Sequence, residues 1–418
     1  MDITVKALLR EVHPMKGFVY QKVEKHPIFP NTLLVEISAR QGSQGECSKC
    51  GSKGACYDHK RKRCWNFIPL WGYMMKFTYA LRRIDCRHCG PTIERVPWAK
   101  GKNQNCDVFR VYLAQWARLL SWAEVAKCFQ ASWADVYHAV EWVVDYGLKH
   151  RDVSGVTALG IDEIHVGKKE KFWTLIYQID QGCKRLLWIG QDRKQATVDD
   201  FFESFGQEFC KGILYICSDM WKPYLNSARD YLPNVLHILD RFHIVKKLNE
   251  AIDTIRREEV KAMAEAGLEP LLKKMRWVFL KKRSNWTENQ RQRMRKVEGM
   301  SLRTLESFLL VEAFQHFWTY ISPTWAGKFM DAWCVRIGDS NLEPLKKVAQ
   351  TLKAHRTLLL NYFKAKKAFS SGVVEGLNAK VKLTLKRSYG FRTENARKVA
   401  LYHTLGKLPE PKFTHRFF

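Results

Sequence analysis

Between residues 156 and 262 short apolar runs alternate with turn and helix signals. Five runs read as strands: TALGIDEIHV (157–166), FWTLIYQI (172–179), KRLLWIGQ (184–191), GILYICSD (212–219) and NVLHILD (234–240). Each is short and apolar, and the first, bounded by Gly155 and Gly167, reads as a buried strand. Turn-length gaps, Gly167 to Lys171 and Gln181 to Cys183, separate the first three runs, which predicts an antiparallel meander. Helical patterns over Thr197 to Phe209 and from Arg241 past Glu259 flank the later runs, whose helix-linked order predicts parallel pairing. Three antiparallel strands followed by two helix-linked parallel strands is the order of an RNase H-like sheet, in which the first and fourth strands are neighbours.

Other patterns surround this block. Residues 1–40 read as a lead-in with one strand, Asn31 to Ile37. The segment IPLWGYMMKFTYAL (68–81) has the composition of a β-hairpin. From Asp107 to Tyr146 the period becomes helical: VFRVYLAQWARLL, then Ser121-Trp122-Ala123-Glu124 as a capping box, then Ser132 opening WADVYHAVEWVVDYGL, closed by Gly147. Two helices joined by a short turn match a helix-turn-helix, and a plain helical hairpin fits the same pattern. Trp133 and Trp142 read as core. Residues 263–372 are helical, basic and rich in tryptophan, as in KKMRWVFLKKRSNW. Such a segment is either a solvated face or a clamp for a DNA backbone. Ser370-Ser371-Gly372 then starts a helix with Val374, Leu377, Val381 and Leu385 on one stripe and Glu375, Lys382 and Lys386 on another.

The expected architecture is therefore multidomain α+β. An N-terminal segment with a zinc ribbon spans 1–100 and a helix-turn-helix spans 101–152. The RNase H-like core spans 153–262 and 373–405, interrupted by a basic helical insertion over 263–372.

Charge narrows the partner. Lys and Arg number 70 against 42 Asp and Glu, a net charge of +28. Such an excess calls for a polyanion, most simply nucleic acid bound through its phosphates. No apolar run reaches the roughly 18 residues of a membrane span. The N-terminus lacks the apolar core of a secretory signal, so the expected location is cytoplasmic, in association with the nucleoid. In that compartment the 12 cysteines read as metal ligands and buried thiols. Cys47-x-x-Cys50 and, after 35 intervening residues, Cys86-x-x-Cys89 offer four thiolates to one structural zinc, a hairpin bridging the long gap. Cys56, His59, Cys64 and His88 are nearby alternative ligands.

The chemistry points to the acids. A carboxylate inside a buried strand costs several kcal/mol unless it is paired or binds a metal. Asp162 interrupts the first strand and Asp219 ends the fourth, so the sheet order brings together two acids 57 positions apart. Glu375 follows near a helix N-terminus. Three such acids can hold two divalent cations for phosphoryl chemistry. Asp240, ending the fifth strand, reads as a helix N-cap, with His243 a possible support for the site.

GIDEI, SDMWKPY, LPNVLHILDRFHIVKKLNEAIDTIRR and VVEGLNAKVKLTLKRSYGFR together resemble the DDE transposases of bacterial insertion sequences, and most of all the ISL-three family. The resemblance runs from Cys47 to about Arg392 and leaves the first 40 residues unaccounted for. It implies a transposase that binds the terminal inverted repeats of its element and cuts and joins DNA by metal-dependent phosphoryl transfer. It places the catalytic, Mg²⁺- or Mn²⁺-binding acids on Asp162, Asp219 and Glu375, with two cations per site. It also implies one structural Zn²⁺ on Cys47, Cys50, Cys86 and Cys89. The 156 positions between Asp219 and Glu375 fit a helical insertion. Lys281, Lys282, Arg283, Lys382, Lys386 and Arg387 are the basic residues expected on DNA, and a homodimer or higher assembly is expected in the DNA complex. In the implied mechanism one cation activates a water and the other stabilises the leaving 3′-oxygen, without a covalent intermediate. Arg397 and Tyr402 on their own do not make a tyrosine recombinase and read as structural. Two other classes stay open: an RNase H-like nuclease or resolvase, and a domesticated DNA-binding protein without strand transfer.

Overall fold

The computed structural model describes residues 4–167, 171–369, 372–387, 391 and 393–412. They group into two compact units, Met1–Asp152 with Val381–Phe418, and Val153–Lys380.

The first unit opens with α1 (Val5–Val12), capped by the Thr4 hydroxyl. Strands β1 (Phe18–Lys25), β2 (Thr32–Ala39), β3 (Gly45–Glu46), β4 (Lys53–Leu70), β5 (Tyr73–Cys86) and β6 (Gly90–Ile93) form one sheet in the order β1-β2-β5-β4-β3, with β6 also on β5. The lead-in therefore holds a helix and an extra strand besides the one expected. β1 buries only Tyr20, as an edge strand does, so its apolar alternation is too weak to read in sequence. The long β4–β5 hairpin turns through Trp71 (φ +47) and Gly72 (φ +84), between the paired Leu70 and Tyr73. Two residues at positive φ match the right-handed twist of the flanking strands.

Helices α2 (Asp107–Leu119), α3 (Trp122–Cys128) and α4 (Trp133–His150) follow. Both expected N-termini form full capping boxes, Ser121 with Glu124 and Ser132 with Asp135. Trp133 is not core: it is 43% exposed and lies flat on Tyr137, while Trp142 is half-buried beneath the Arg110 guanidinium at 4.0 Å. The core of this unit joins Trp65, Phe77 and Trp98 of the sheet region to Val136, Val140 and Val143 of α4 and to Ala396, Val399, Ala400 and Leu408. A fragment ending at residue 152 thus exposes apolar surface that the C-terminal segment covers.

The second unit carries β7 (Ala158–His165), β8 (Phe172–Ile179), β9 (Lys184–Gly190), β10 (Tyr215–Ser218) and β11 (Leu236–Leu239) in the order β11-β10-β7-β8-β9. The first three are antiparallel; β10 is parallel to both β7 and β11. This is the RNase H-like order read from the sequence. Helices α5 (Gln195–Gly212) and α6 (Lys222–Tyr231) cover one face, where Phe201, Phe202 and Tyr224 pack on Leu159, Ile161 and Ile176. β8 is buried along almost its whole length, as a strand covered on both faces must be.

After α7 (Arg241–Glu265) come α8 (Arg276–Phe279), α9 (Glu288–Val297), α10 (Arg303–Phe314), α11 (Pro323–Gly338), α12 (Glu343–Ala354) and α13 (Arg356–Lys364). Leu239 and one face of α7 (Ile244, Leu248, Ile252, Ile255) share a core with this helical segment, including Phe314, Trp333 and Leu359. The last helices are α14 (Gly372–Arg387) and α15 (Glu394–Leu405). The Ser370-Ser371 helix start lies outside the described residues. On α14, Val374, Leu377 and Val381 are buried, while Glu375, Lys382 and Lys386 are exposed, as the stripe predicts.

Candidate active site and metal centre

The Sγ atoms of Cys47, Cys50, Cys86 and Cys89 lie within 4.8 Å of one another. The first pair spans the β3–β4 turn and the second the β5–β6 turn. Each turn uses a glycine at positive φ, Gly51 (+78) and Gly90 (+68). The Gly51 N–H closes the first turn on the Cys47 carbonyl at 2.9 Å, and the Lys49 N–H points at the Cys47 sulfur at 3.4 Å. Four sulfurs about 2.3 Å from one ion lie about 3.8 Å apart, so the cluster fits tetrahedral Zn²⁺. Hydrogen bonds from Ser52 draw the Cys50 thiol down to about 6, whereas contact with Cys50 and the other thiols pushes Cys89 up to about 12. Such opposed shifts mark thiols that do not all ionise together without a cation. Cys56, His59 and Cys64 lie along β4 outside this group, and His88 is not part of it.

In the second unit, the pairing of β10 with β7 ends at Cys217 opposite Gly160. Two residues farther on each chain stand Asp219 and Asp162. Burial pushes the Asp162 carboxyl up to about 6, and the charges of Asp240 and Asp219 add to the rise while that of His243 opposes it. Asp219 is raised by the same desolvation, opposed by the Trp221 N–H that bonds its Oδ1 at 3.0 Å. Asp240 caps α7, accepting the Phe242 N–H at 2.7 Å on one oxygen and meeting His243 Nδ1 at 2.9 Å with the other. That bond raises the His243 pKa, with further help from Asp162 and Asp219. The structure thus gathers Asp162, Asp219, Asp240 and His243 at one sheet edge.

Three residues that sequence reasoning did not place in the site also meet there. Glu163 points to the face opposite Asp162, toward Tyr224 Oη at 3.4 Å and Arg193 at 3.6 Å; burial and Asp219 raise its carboxyl. Arg193 is sandwiched between Phe172 and Trp221, 4.4 and 4.9 Å from the ring centres. Asn378 on α14 donates to Asp162 Oδ2 at 2.5 Å. The adjacency of Glu163 to Asp162 was the visible signal; Arg193 gave none.

Glu375 lies in the first turn of α14, one turn before Asn378, and is exposed. The charges acting most strongly on Asp162 and Asp219 are His243, Asp240, Lys247 and Asp219 itself, not Glu375. The half-buried carboxylates crowd together, with the His243 and Lys247 charges opposing their rise. That all-oxygen donor set fits hard cations such as Mg²⁺ or Mn²⁺.

Of the basic candidates, Lys281, Lys282, Lys382 and Lys386 are exposed. The Arg283 guanidinium is engaged by Glu312 at 2.9 Å and lies near the Trp286 and Phe308 rings. Arg387 is exposed and also reaches the Arg118 carbonyl at 3.4 Å. No described helix is long and apolar enough to cross a membrane.

The sequence is similar to those of known proteins. Over 392 residues the chain is 24% identical to the transposase for insertion sequence element IS1001 of Bordetella parapertussis, covering 93% of this chain and 95% of that one. It is also 24% identical over 392 residues to the transposase for insertion sequence element IS1557 of Mycobacterium tuberculosis, covering 87% and 86% respectively. The family model DDE_Tnp_ISL3, described as transposase, matches residues 159–400, more than half of the chain and all of the acids discussed above. The chain belongs to this ISL-three family of DDE transposases, enzymes that act on DNA.

Proposed function

We propose that the protein binds the terminal inverted repeats of an insertion sequence and catalyses metal-dependent cleavage and strand transfer at those ends. The observation that carries this reading is the nearness of Asp162, within β7, to Asp219, just past the end of β10, each two residues beyond the paired Gly160 and Cys217. Asp162 and Asp219, with Glu375 presented from α14, would hold two Mg²⁺ or Mn²⁺ ions. Bound there, the ions supply Lewis acidity for the attacking and leaving oxygens of an in-line displacement. Water adds to the scissile phosphorus, the P–O3′ bond breaks, and a free 3′-hydroxyl remains. That hydroxyl then attacks a target phosphodiester, exchanging one P–O bond for another. The chain supplies orientation: Asn378 and the Glu163 N–H hold Asp162, the Trp221 N–H holds Asp219, and the Asp240–His243 pair supports the site from the α7 N-terminus. The zinc-held ribbon and the α3–α4 pair are assigned to recognition of the ends, and the active assembly to a homodimer or larger.

Incubating the protein with pre-cleaved element ends, a target plasmid and Mg²⁺ tests strand transfer. Joined products are expected; cleavage of intact ends without joining would favour the nuclease or resolvase reading. Binding without either reaction would favour a domesticated DNA-binding protein.

The helical segment is assigned to backbone contacts through its exposed lysines. Reversing Lys281 and Lys282 to Glu should weaken binding equally on specific and random DNA. It should lower the slope of log affinity against log salt by about 1–2. An unchanged slope would leave these lysines as a solvated face. Arg283 is the poorer target, because breaking its bond to Glu312 also disturbs packing.

A further inference from the structure

We infer that Tyr177 and Asn378 form a relay that orients the Asp162 carboxylate for metal binding, a positioning role that rests on the reading of Asp162 given above. Asn378 Nδ2 donates to Asp162 Oδ2 at 2.5 Å, and the Tyr177 hydroxyl donates to Asn378 Oδ1 at 2.6 Å. The Glu163 N–H donates to the other carboxylate oxygen at 2.8 Å. Each Asp162 oxygen therefore accepts one hydrogen bond and keeps a lone pair free for a cation.

The relay has a direction. An amide side chain presents one acceptor end and one donor end, and an ionised carboxylate only accepts. Because the tyrosine hydroxyl occupies the amide oxygen, the NH₂ end is turned toward Asp162. The reversed amide would set its oxygen against the carboxylate and repel it.

The surroundings hold these three side chains in place. Tyr177 is fully buried and pairs across the sheet with Gly160, two residues before Asp162 and on the same face. A Cβ at Gly160 would meet Val374 Cγ2 at 2.6 Å and Ile179 Cγ2 at 3.1 Å, so the glycine is what lets α14 lie directly on β7. Val374 sits over that gap. Asn378, one turn later on the same helix face, arrives at Asp162 with 7% of its surface exposed. A polar residue in an otherwise apolar stripe has no packing purpose that Val or Leu would not serve. Its two hydrogen bonds lead from a buried tyrosine to a proposed metal ligand.

The test uses the full-length protein in a Mg²⁺ titration read two ways, by the rise in melting temperature without DNA and by the cleavage rate on saturating end-bearing DNA, and the midpoints below apply to both. Asn378→Ala should require about tenfold more Mg²⁺ for half-maximal cleavage, the scale of one lost hydrogen bond to a charged group. Tyr177→Phe removes a single oxygen and only frees the amide to turn, so its midpoint should rise by about threefold, the scale of a neutral hydrogen bond. Both variants should recover most of the wild-type rate at saturating Mg²⁺, which a merely loosened fold would not do. If Asn378→Ala folds poorly, Tyr177→Phe decides. Wild-type midpoints in both variants, with Asp162→Asn inactive, would overturn the relay and leave the catalytic reading standing. Full activity of Asp162→Asn would instead remove that reading.

Discussion

Asp162→Asn is expected to abolish DNA cleavage and, at the same time, to raise the melting temperature of the metal-free protein at pH 8. Burial pushes the Asp162 carboxyl up to about 6, against an ordinary aspartate value of about 3.9 in the unfolded chain. The native state thus binds this proton more tightly than the unfolded state does. Stability falls as pH rises from roughly 4 to 6, and above 6 a cost of about 3 kcal/mol persists. Asparagine removes the charge but turns its NH₂ against one of the two donors that serve the carboxylate, so the variant should gain at pH 8, by less than that cost, and lose a little below pH 4. Asp219, raised by the same burial, acts in the same direction. Divalent cations narrow the gap: at a hundred times the dissociation constant they stabilise the wild type by about 2.7 kcal/mol. The variant, lacking one ligand, should gain less. Melting curves at pH 4 and pH 8, with and without Mg²⁺, check each part. A variant less stable than wild type at pH 8 without metal would make Asp162 a structural acid.

Cys86→Ser should cause the largest loss of stability in the first unit. The ribbon tip has little apolar packing of its own: its buried cluster consists of Cys47, Ile84 and Cys86, with Cys89 half-buried beside it. A tip with so small a core depends on its metal. Structural zinc contributes folding energy directly, about 10–16 kcal/mol in isolated zinc-finger peptides at neutral pH. The purified protein should carry one zinc per chain, and the variant none. The variant's ribbon should lose protection from amide exchange over β3 to β6, and a chelator should reproduce that loss in the wild type. Full zinc content after Cys86→Ser would contradict the cluster, most simply by bringing in Cys56 or His59 as a ligand.

The sheet of β7 to β11 was legible because its strands are short, apolar and punctuated, so that gap length alone separates hairpins from helix-linked crossovers. That order brought Asp162 to Asp219 before any geometry was known. The four cysteines were legible because metal ligands come in fixed pairs. Much of the rest depends on contacts that no local pattern records. Asn378 breaks an apolar stripe by one residue, and its meaning lies in a tyrosine 201 positions earlier. Arg193 sits in a loop, and only the fold places it between Phe172 and Trp221. Trp133 satisfies helical spacing but falls on the outer side of α4, where the stripe is ambiguous. The edge strand β1 buries one residue and carries almost no alternation. Charge composition marked Lys281, Lys282 and Arg283 alike, yet a carboxylate partner distinguishes the arginine from the lysines.

In the proposed function Asp162, Asp219 and Glu375 together carry metal-dependent cleavage, and Glu375 is the most exposed of the three. The most direct test measures single-turnover cleavage of a duplex bearing the element's end, in Mg²⁺. Asp162→Asn, Asp219→Asn and Glu375→Gln are each compared with wild type after equal binding to that duplex is established. The expected result is cleavage at the end by the wild type and none by any of the three variants. Cleavage at the wild-type rate by any one of them would contradict it.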